Sequence, residues 1–350
     1  MKKRYFVCIL LSSVLALGLA GCNNGKSVHE HSFGAWKITQ APTCEQKGAK
    51  ERTCSGCGAV EHRDADPLPH AYDKENVCAD CGKQLVWSKG LSYELTEDES
   101  AYRLTGRGTC EDTAIVLPYY YGGKPVTEIG AESFLNGKFT SFEMQGSIKK
   151  IGKSAFNGCS ELTSFYMYDT VEEVGNFAFT FCTSLSYVRL SENLTMLDEL
   201  FWSCSSLQEV VIGDKVEVIE PFTFYECSSL TELSLPSSVK KIGTQAFAGC
   251  SSLVSIEIPS NVTVIERGLF MNCSKLRRVT FYGKLESIGM DEFAGCSELR
   301  EVIYNGTKES FMNLKKGILW EGNDDTRRFS VVCSDGTLSW DAFKTAEDLL

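Results

Sequence analysis

A mainly β (α/β) solenoid of about eight 23-residue repeats is the fold this sequence predicts, on three observations. Cysteines at 159, 182, 204, 227, 250, 273 and 296 follow one another at steps of 22 or 23 residues. Phenylalanines keep the same step, from Phe134 through Phe156, Phe179, Phe201, Phe224, Phe247, Phe270 and Phe293. A fixed string joins the two series, clearest in Ile151-Gly152-Lys-Ser-Ala155-Phe156-Asn-Gly-Cys159-Ser-Glu-Leu162 and Ile242-Gly243-Thr-Gln-Ala246-Phe247-Ala-Gly-Cys250-Ser-Ser-Leu253. Self-similarity at this period marks a repeat architecture, in which each unit buries its apolar residues only against its neighbours.

Within one unit, Phe156, Cys159 and Leu162 are three apart and suit a helical turn, whereas Phe165 and Met167 alternate as in a strand. Strand pairing between stacked units at about 4.8 Å gives a stack of eight roughly 38 Å long. The first copy has Ser133 in place of Ala and no Cys, and the fourth, Leu194 to Phe201, is one residue short, which predicts an irregularity there.

The Ile-Gly-x-x-Ala-Phe-x-x-Cys-x-x-Leu string resembles the BspA-type leucine-rich repeat family of bacterial surface proteins. With flanking caps the resemblance runs from about Val86 to Leu338. It implies a leucine-rich-repeat solenoid and a role in adhesion.

Residues 1–21 start with Lys2-Lys3-Arg4, continue in an apolar run from Tyr5 to Leu17 and end in Leu19-Ala20-Gly21 before Cys22. This reads as a secretory leader. Leu-Ala-Gly-Cys resembles the bacterial lipoprotein lipobox, which implies lipid on the Cys22 thiol, an extracytoplasmic location and attachment to the membrane through that lipid. Residues 22–28 form a polar tether. Residues 29–85 hold all four histidines of the chain, with His31, Cys44, Cys54-Ser-Gly-Cys57-Gly58, His70 and Cys78-Ala-Asp-Cys81-Gly82 in that order. Two C-x-x-C-G knuckles at this separation match zinc-ribbon spacing, because each glycine permits the turn that brings two thiolates onto one ion. The stretch resembles the Cys/His modules beside BspA-type repeats in clostridial surface proteins. Structural zinc is the expected cofactor. Two ligand sets fit it: one site of Cys54, Cys57, Cys78 and Cys81, or one site per copy, with His31 and Cys44 joining the first knuckle and His70 the second. Disulfides or redox use are the competing reading for an exported protein.

Residues 86–125 read as an N-terminal β cap, since Ser92 to Leu95 and Ala101 to Leu104 alternate around a polar turn. The repeats occupy 126–304. In 305–350, Asn305 to Phe311 opens a short helical segment, Val331 to Leu338 reads as a closing hairpin with an Asp335-Gly336 turn, and Trp340 onward is a partly helical tail.

The formal charge of −11 argues against a nucleic-acid partner. The loop from Gly146 to Ser154 has five residues between its glycines where a phosphate loop needs four, so no nucleotide is expected. No histidine follows His70, which excludes Ser-His and Cys-His nucleophile pairs from the solenoid, and no catalytic residue is assigned. The seven periodic cysteines share one phase of the coil and read as buried structural thiols. A surface binding protein for a protein or glycan is the leading function. A spacer lipoprotein and a redox or metal-handling protein are the alternatives. The strand positions Tyr166, Arg189, Val211, Ser234, Glu257, Thr280 and Ile303 should form an outward stripe, flanked by Tyr187. The turn face should cluster Phe181, Trp202 and Tyr225 as a partner-binding patch.

Overall fold

The computed structural model describes residues 36–43, 46–65, 72–73, 75–322 and 328–343. Two lines of short parallel strands follow the stack. The first passes through Ala114–Val116, Ser141–Glu143, Ser164–Tyr166, Tyr187–Arg189, Glu209–Val211, Ser255–Ile258, Arg278–Phe281, Glu301–Tyr304 and Ser330–Cys333. The second runs through the Ile-Gly step, from Lys124–Ile129 and Lys150–Ile151 to Ser287–Ile288 and Lys315–Lys316. Registers join equivalent positions of successive repeats, as in Phe165 with Val188, Val188 with Val210, and Ile151 with Val174. The solenoid makes about nine turns, more than the repeats counted. The segment read as a C-terminal cap adds a coil, because Lys315–Lys316 pairs with Ser287–Ile288 and Ser330–Cys333 with Glu301–Tyr304. Gly336–Leu338 then turns back antiparallel on Ser330–Cys333 as the expected hairpin.

The three-residue spacing of Phe156, Cys159 and Leu162 does not make a helix. Among the described residues the α-helices are Lys308–Met312 and Trp340–Phe343. Each unit instead turns on short bonds, with Cys159 N–H donating to the Phe156 carbonyl at 3.1 Å and Leu162 N–H to the Cys159 carbonyl at 3.2 Å. Left-handed residues at Ser154 (φ 52°) and Gly158 (φ 73°) interrupt the helical path. The N–H groups thus freed point along the stack, and Phe156 and Gly158 donate to the Ala178 and Thr180 carbonyls of the next coil at 2.8 Å each. Coil-to-coil bonding therefore continues on the turn side.

The core is a column of phenylalanine rings stacked face to face, from 5.2 Å between Phe156 and Phe179 to 5.9 Å between Phe270 and Phe293. Beside it run the seven cysteines, all fully buried. Each thiol donates to the carbonyl of the phenylalanine one coil earlier, from Cys159 to Phe134 at 3.0 Å through Cys227 to Phe201 at 3.2 Å to Cys296 to Phe270 at 3.0 Å. Burial raises the thiols from Cys159 to Cys273, Cys250 to about 12, so they stay protonated and unreactive.

Glycine of the Ile-Gly step is a close-approach residue: a Cβ on Gly175 would lie 2.4 Å from the Lys153 amide nitrogen of the coil below. Asp198, Glu220 and Glu266 take that place in three coils. The second strand line breaks before two of them, between Glu173–Val174 and Met196–Leu197 and again between Lys241–Ile242 and Val264–Ile265. The first break coincides with the short fourth copy. Glu220 makes the same replacement without a break, with Lys241 reaching it at 3.0 Å.

Ahead of the solenoid, β1 (Lys37–Gln40), β2 (Gly48–Thr53) and β3 (Val60–Ala65) form an antiparallel sheet in the order β1-β2-β3. The cap hairpin is β4 (Ser92–Leu95) with β5 (Tyr102–Gly106), and β5 adds parallel to Lys124–Ile129 at the end of the second strand line.

Two outcomes follow from the core. Cys227→Ser and Cys250→Ser should each lower stability by about 1–2 kcal/mol through the gap left by a smaller atom, the carbonyl acceptor remaining in place; urea melts check this, and the native thiols should label slowly. Glu292 stands at the small-residue position of Ala155, Ala178 and Ala246, fully buried, with Oε2 accepting from Leu269 N–H at 3.3 Å and Oε1 without a hydrogen-bond partner among the described residues. Burial, with Glu266 adding to it, holds this carboxyl well above its ordinary 4.5. A raised carboxyl contributes stability that is full below its unfolded pKa and is lost as pH rises toward the folded one. Glu292→Ala should therefore gain on the native protein above pH 4.5, by up to about 1.4 kcal/mol per pH unit, and show no such gain below it in pH-dependent melts.

Candidate functional site

The two C-x-x-C-G turns fold alike. Cys54 N–H donates to the Ala59 carbonyl at 2.8 Å and Gly58 N–H to the Cys54 carbonyl at 2.9 Å; Cys78 N–H donates to the Lys83 carbonyl at 2.9 Å and Gly82 N–H to the Cys78 carbonyl at 2.8 Å. Gly58 (φ 76°) and Gly82 (φ 70°) occupy the left-handed region, which is why each motif ends in glycine. Cys54 and Cys78 are buried, Cys57 is half-buried and Cys81 exposed.

The knuckles sit in different surroundings. Cys54 to Cys57 turns the chain from β2 into β3. Cys78 packs with Tyr72 and Leu85 against Trp87, Val116 and Tyr119 of the cap. Asn76 fastens this second knuckle, its Oδ1 accepting from Tyr119 N–H at 3.0 Å and Tyr120 N–H at 3.1 Å. Among the described residues no three His, Cys, Asp or Glu side chains gather closely enough to hold a metal ion, so Cys54, Cys57, Cys78 and Cys81 are not assembled as one four-thiol site. His31, Cys44 and His70, the ligands that would complete one site per copy, lie outside the described residues, as does Cys22. Each knuckle, with two soft sulfur donors on a preformed turn, fits half of a tetrahedral zinc site.

On the turn face, Phe181, Trp202 and Tyr225 do come together. Ring centroids are 6.4 Å apart for Phe181 and Trp202, and 5.6 Å for Trp202 and Tyr225. Phe222 joins them, 5.5 Å from Trp202 and 5.8 Å from Tyr225. Phe181 is 49% exposed, and the other three rings are half-buried. Phe181 (φ 60°) and Phe222 (φ 58°) are left-handed, a conformation that costs a bulky residue about 1–2 kcal/mol. Other coils are left-handed at the same positions, with Asn136, Gly158, Ser203, Glu226, Gly249, Asn272 and Gly295 at that of Phe181, and Glu132, Ser154, Phe177, Glu199, Gln245, Gly268 and Asp291 at that of Phe222.

Tyr166 and Tyr187 are half-buried on the first strand line, away from this cluster. The outward stripe holds only in part, because Arg189 and Thr280 are each 4% exposed. Arg189 folds down onto the Met167 carbonyl at 2.6 Å and the Asp169 carboxylate at 2.9 and 3.2 Å, with its guanidinium 5.1 Å from the Tyr166 ring. Thr280 has no account in its surroundings.

Among known proteins, the family model of the BspA type leucine rich repeat region matches in six copies, over residues 127–220 and 195–315. Among solved structures, a leucine-rich repeat protein from T. pallidum is 28% identical, covering 60% of this chain and 88% of its own, with a TM-score of 0.39. One from Bacteroides ovatus is 21% identical over 67% of this chain and 78% of its own, TM-score 0.41. A leucine rich cell surface protein from Faecalibacterium prausnitzii is 20% identical over 68% and 99%, TM-score 0.33. No curated protein matches. With more than half of the chain inside the matched span, the protein belongs to the BspA-type leucine-rich repeat family.

Proposed function

We propose that the protein is a lipid-anchored binding protein of the bacterial cell surface, which recognises a protein or glycan along its solenoid without catalysis. The observation that supports this most is the aromatic cluster on the turn face. The left-handed turn positions of Phe181 and Phe222 recur along the stack, with Asn136, Glu226 and Asn272 among the residues at the first and Glu132, Phe177 and Gln245 among those at the second. What sets the middle coils apart is that four rings gather there on an open turn face, with Phe181 49% exposed, which points to use rather than to packing. Rigid rings on a repeat scaffold are suited to anchoring a partner. Membership of a repeat family known for surface proteins and the Leu-Ala-Gly-Cys22 leader agree with the location.

A glycan and protein array probed with the mature chain tests this. Trp202→Ala with Tyr225→Ala should weaken binding by about tenfold or more and leave the Tm nearly unchanged. Phe181→Gly should weaken binding while raising stability by about 1 kcal/mol, through release of the left-handed strain. A large fall in Tm with binding intact would assign the rings to packing.

We also infer that structural zinc is held at each knuckle, completed by His31 and Cys44 at Cys54 and Cys57, and by His70 at Cys78 and Cys81. The ion would bind the thiolates and fix the turns. Among the described residues of 36–65, the buried apolar side chains are those of Cys54 and Ala65, so chelation should loosen β1–β3 and spare the solenoid's melting transition. Elemental analysis of protein purified without oxygen should give about one zinc per knuckle. No zinc, with disulfides at both C-x-x-C turns in a peptide map, would overturn it.

A further inference from the structure

Just beyond the first-line strands, three successive coils carry an acid, Asp169, Glu192 and Asp214, where the coils on either side carry Gly146, Ser237, Ser260 and Gly283. These carboxylates form a ladder. Asp169 accepts from Glu192 N–H at 2.9 Å, and Glu192 from Asp214 N–H at 3.3 Å. Burial would push the Asp169 carboxyl up, but Arg189 and, further off, Lys50 hold it below its ordinary range.

One face of the β1–β3 sheet lies against this ladder. The Trp36 indole N–H donates to Asp214 Oδ2 at 2.9 Å, Arg52 donates to the same oxygen at 2.7 Å, and Lys50 reaches Glu192 at 3.4 Å. Trp36 centres the face, with Lys50, Arg52 and Arg63 at 5.1, 4.5 and 5.1 Å from its ring. Glu61 holds the two guanidinium groups beside it, accepting from Arg52 at 2.6 Å and Arg63 at 2.9 Å. The ion pairs are partly desolvated, Lys50 and Arg52 being 14% and 15% exposed. Among the described residues of 36–65 the buried apolar ones are Cys54 and Ala65, so the contact between the two parts is mainly polar.

We propose that the Asp169, Glu192 and Asp214 ladder is a docking surface whose occupant is the chain's own N-terminal sheet, seated by its Trp36-centred basic face as a clasp that opens when charge is screened. A contact made of ion pairs, one indole hydrogen bond and cation–π stacking weakens as the screening length falls from about 8 Å at physiological ionic strength to about 3 Å at 1 M salt. A contact held by a buried apolar interface would not.

A zero-length carbodiimide crosslink tests this on the whole mature chain, because it joins an amine only to a carboxylate it already touches. Peptide mapping should recover Lys50 joined to Glu192 at low salt, with yield falling about tenfold at 1 M salt and in Asp214→Ser with Trp36→Phe, which leaves both crosslinked residues in place. Serine is the occupant of the same position in the next two coils, so the solenoid's melting transition should stay where it is. Yield unchanged by salt and by the variant overturns the proposal. So does recovery of the crosslink between isotopically distinct chains in a mixture, which would make a second copy the occupant.

Discussion

The second lone pair of one carbonyl, repeated along the stack, ties this structure together. From Phe156 to Phe270, each core phenylalanine carbonyl accepts the N–H of the cysteine three residues later, as Phe224 does from Cys227 at 3.2 Å, and then the thiol of the next coil, as Phe224 does from Cys250 at 3.2 Å. A buried carbonyl has two acceptor sites, and here one closes the turn and the other joins neighbouring coils. Only a small side chain with a donor at its tip fits between stacked rings and reaches that oxygen. Cysteine does this without the desolvation penalty of a hydroxyl and without a charge at any ordinary pH. The cysteines are therefore fasteners of the stack, and their number says nothing about redox chemistry.

This explains which parts of the fold were legible in the sequence. Phe156, Cys159 and Leu162 recur because the same contact recurs, so period, phase and strand line could be read directly. The local conformation between them could not. Three-residue spacing fits a helix and also a chain of tight turns, and the difference lies in left-handed residues such as Ser154 and Phe181, whose side chains carry no glycine signal. The extra coil escaped for a related reason: the segment from Lys315 to Cys333 lacks the Ala-Phe-Cys signature, yet it pairs in register because strand edges ask for backbone rather than for particular side chains.

The candidate surfaces were legible only in part. Phe181, Trp202 and Tyr225 lie just after the core phenylalanines and were found there, whereas Phe222 lies two residues before one and is brought to Trp202 by the turn. The acidic ladder went unnoticed because each carboxylate, taken alone, reads as a solvated loop residue. Its partners Trp36, Lys50 and Arg52 are 178, 142 and 162 residues away in the chain, beyond any local pattern.

Core positions of the coils are nearly interchangeable, so departures from the repeat rule mark where selection has acted on something other than stacking. Glu266, Glu292 and the second break lie further along, but most of those departures fall in the middle coils. Strained Phe181 and Phe222, the acids at 169, 192 and 214, Asp198 and Glu220 in place of glycine, and the first break in the second strand line all fall between residues 169 and 222. None of them improves the stack: left-handed phenylalanines are strained, adjacent carboxylates repel one another, and an acid at the Ile-Gly step takes the place of the residue that allows the closest approach. A solenoid transmits little from one repeat to those beyond its neighbours, so several unfavourable choices can be concentrated in a few coils while regular coils on both sides hold the fold.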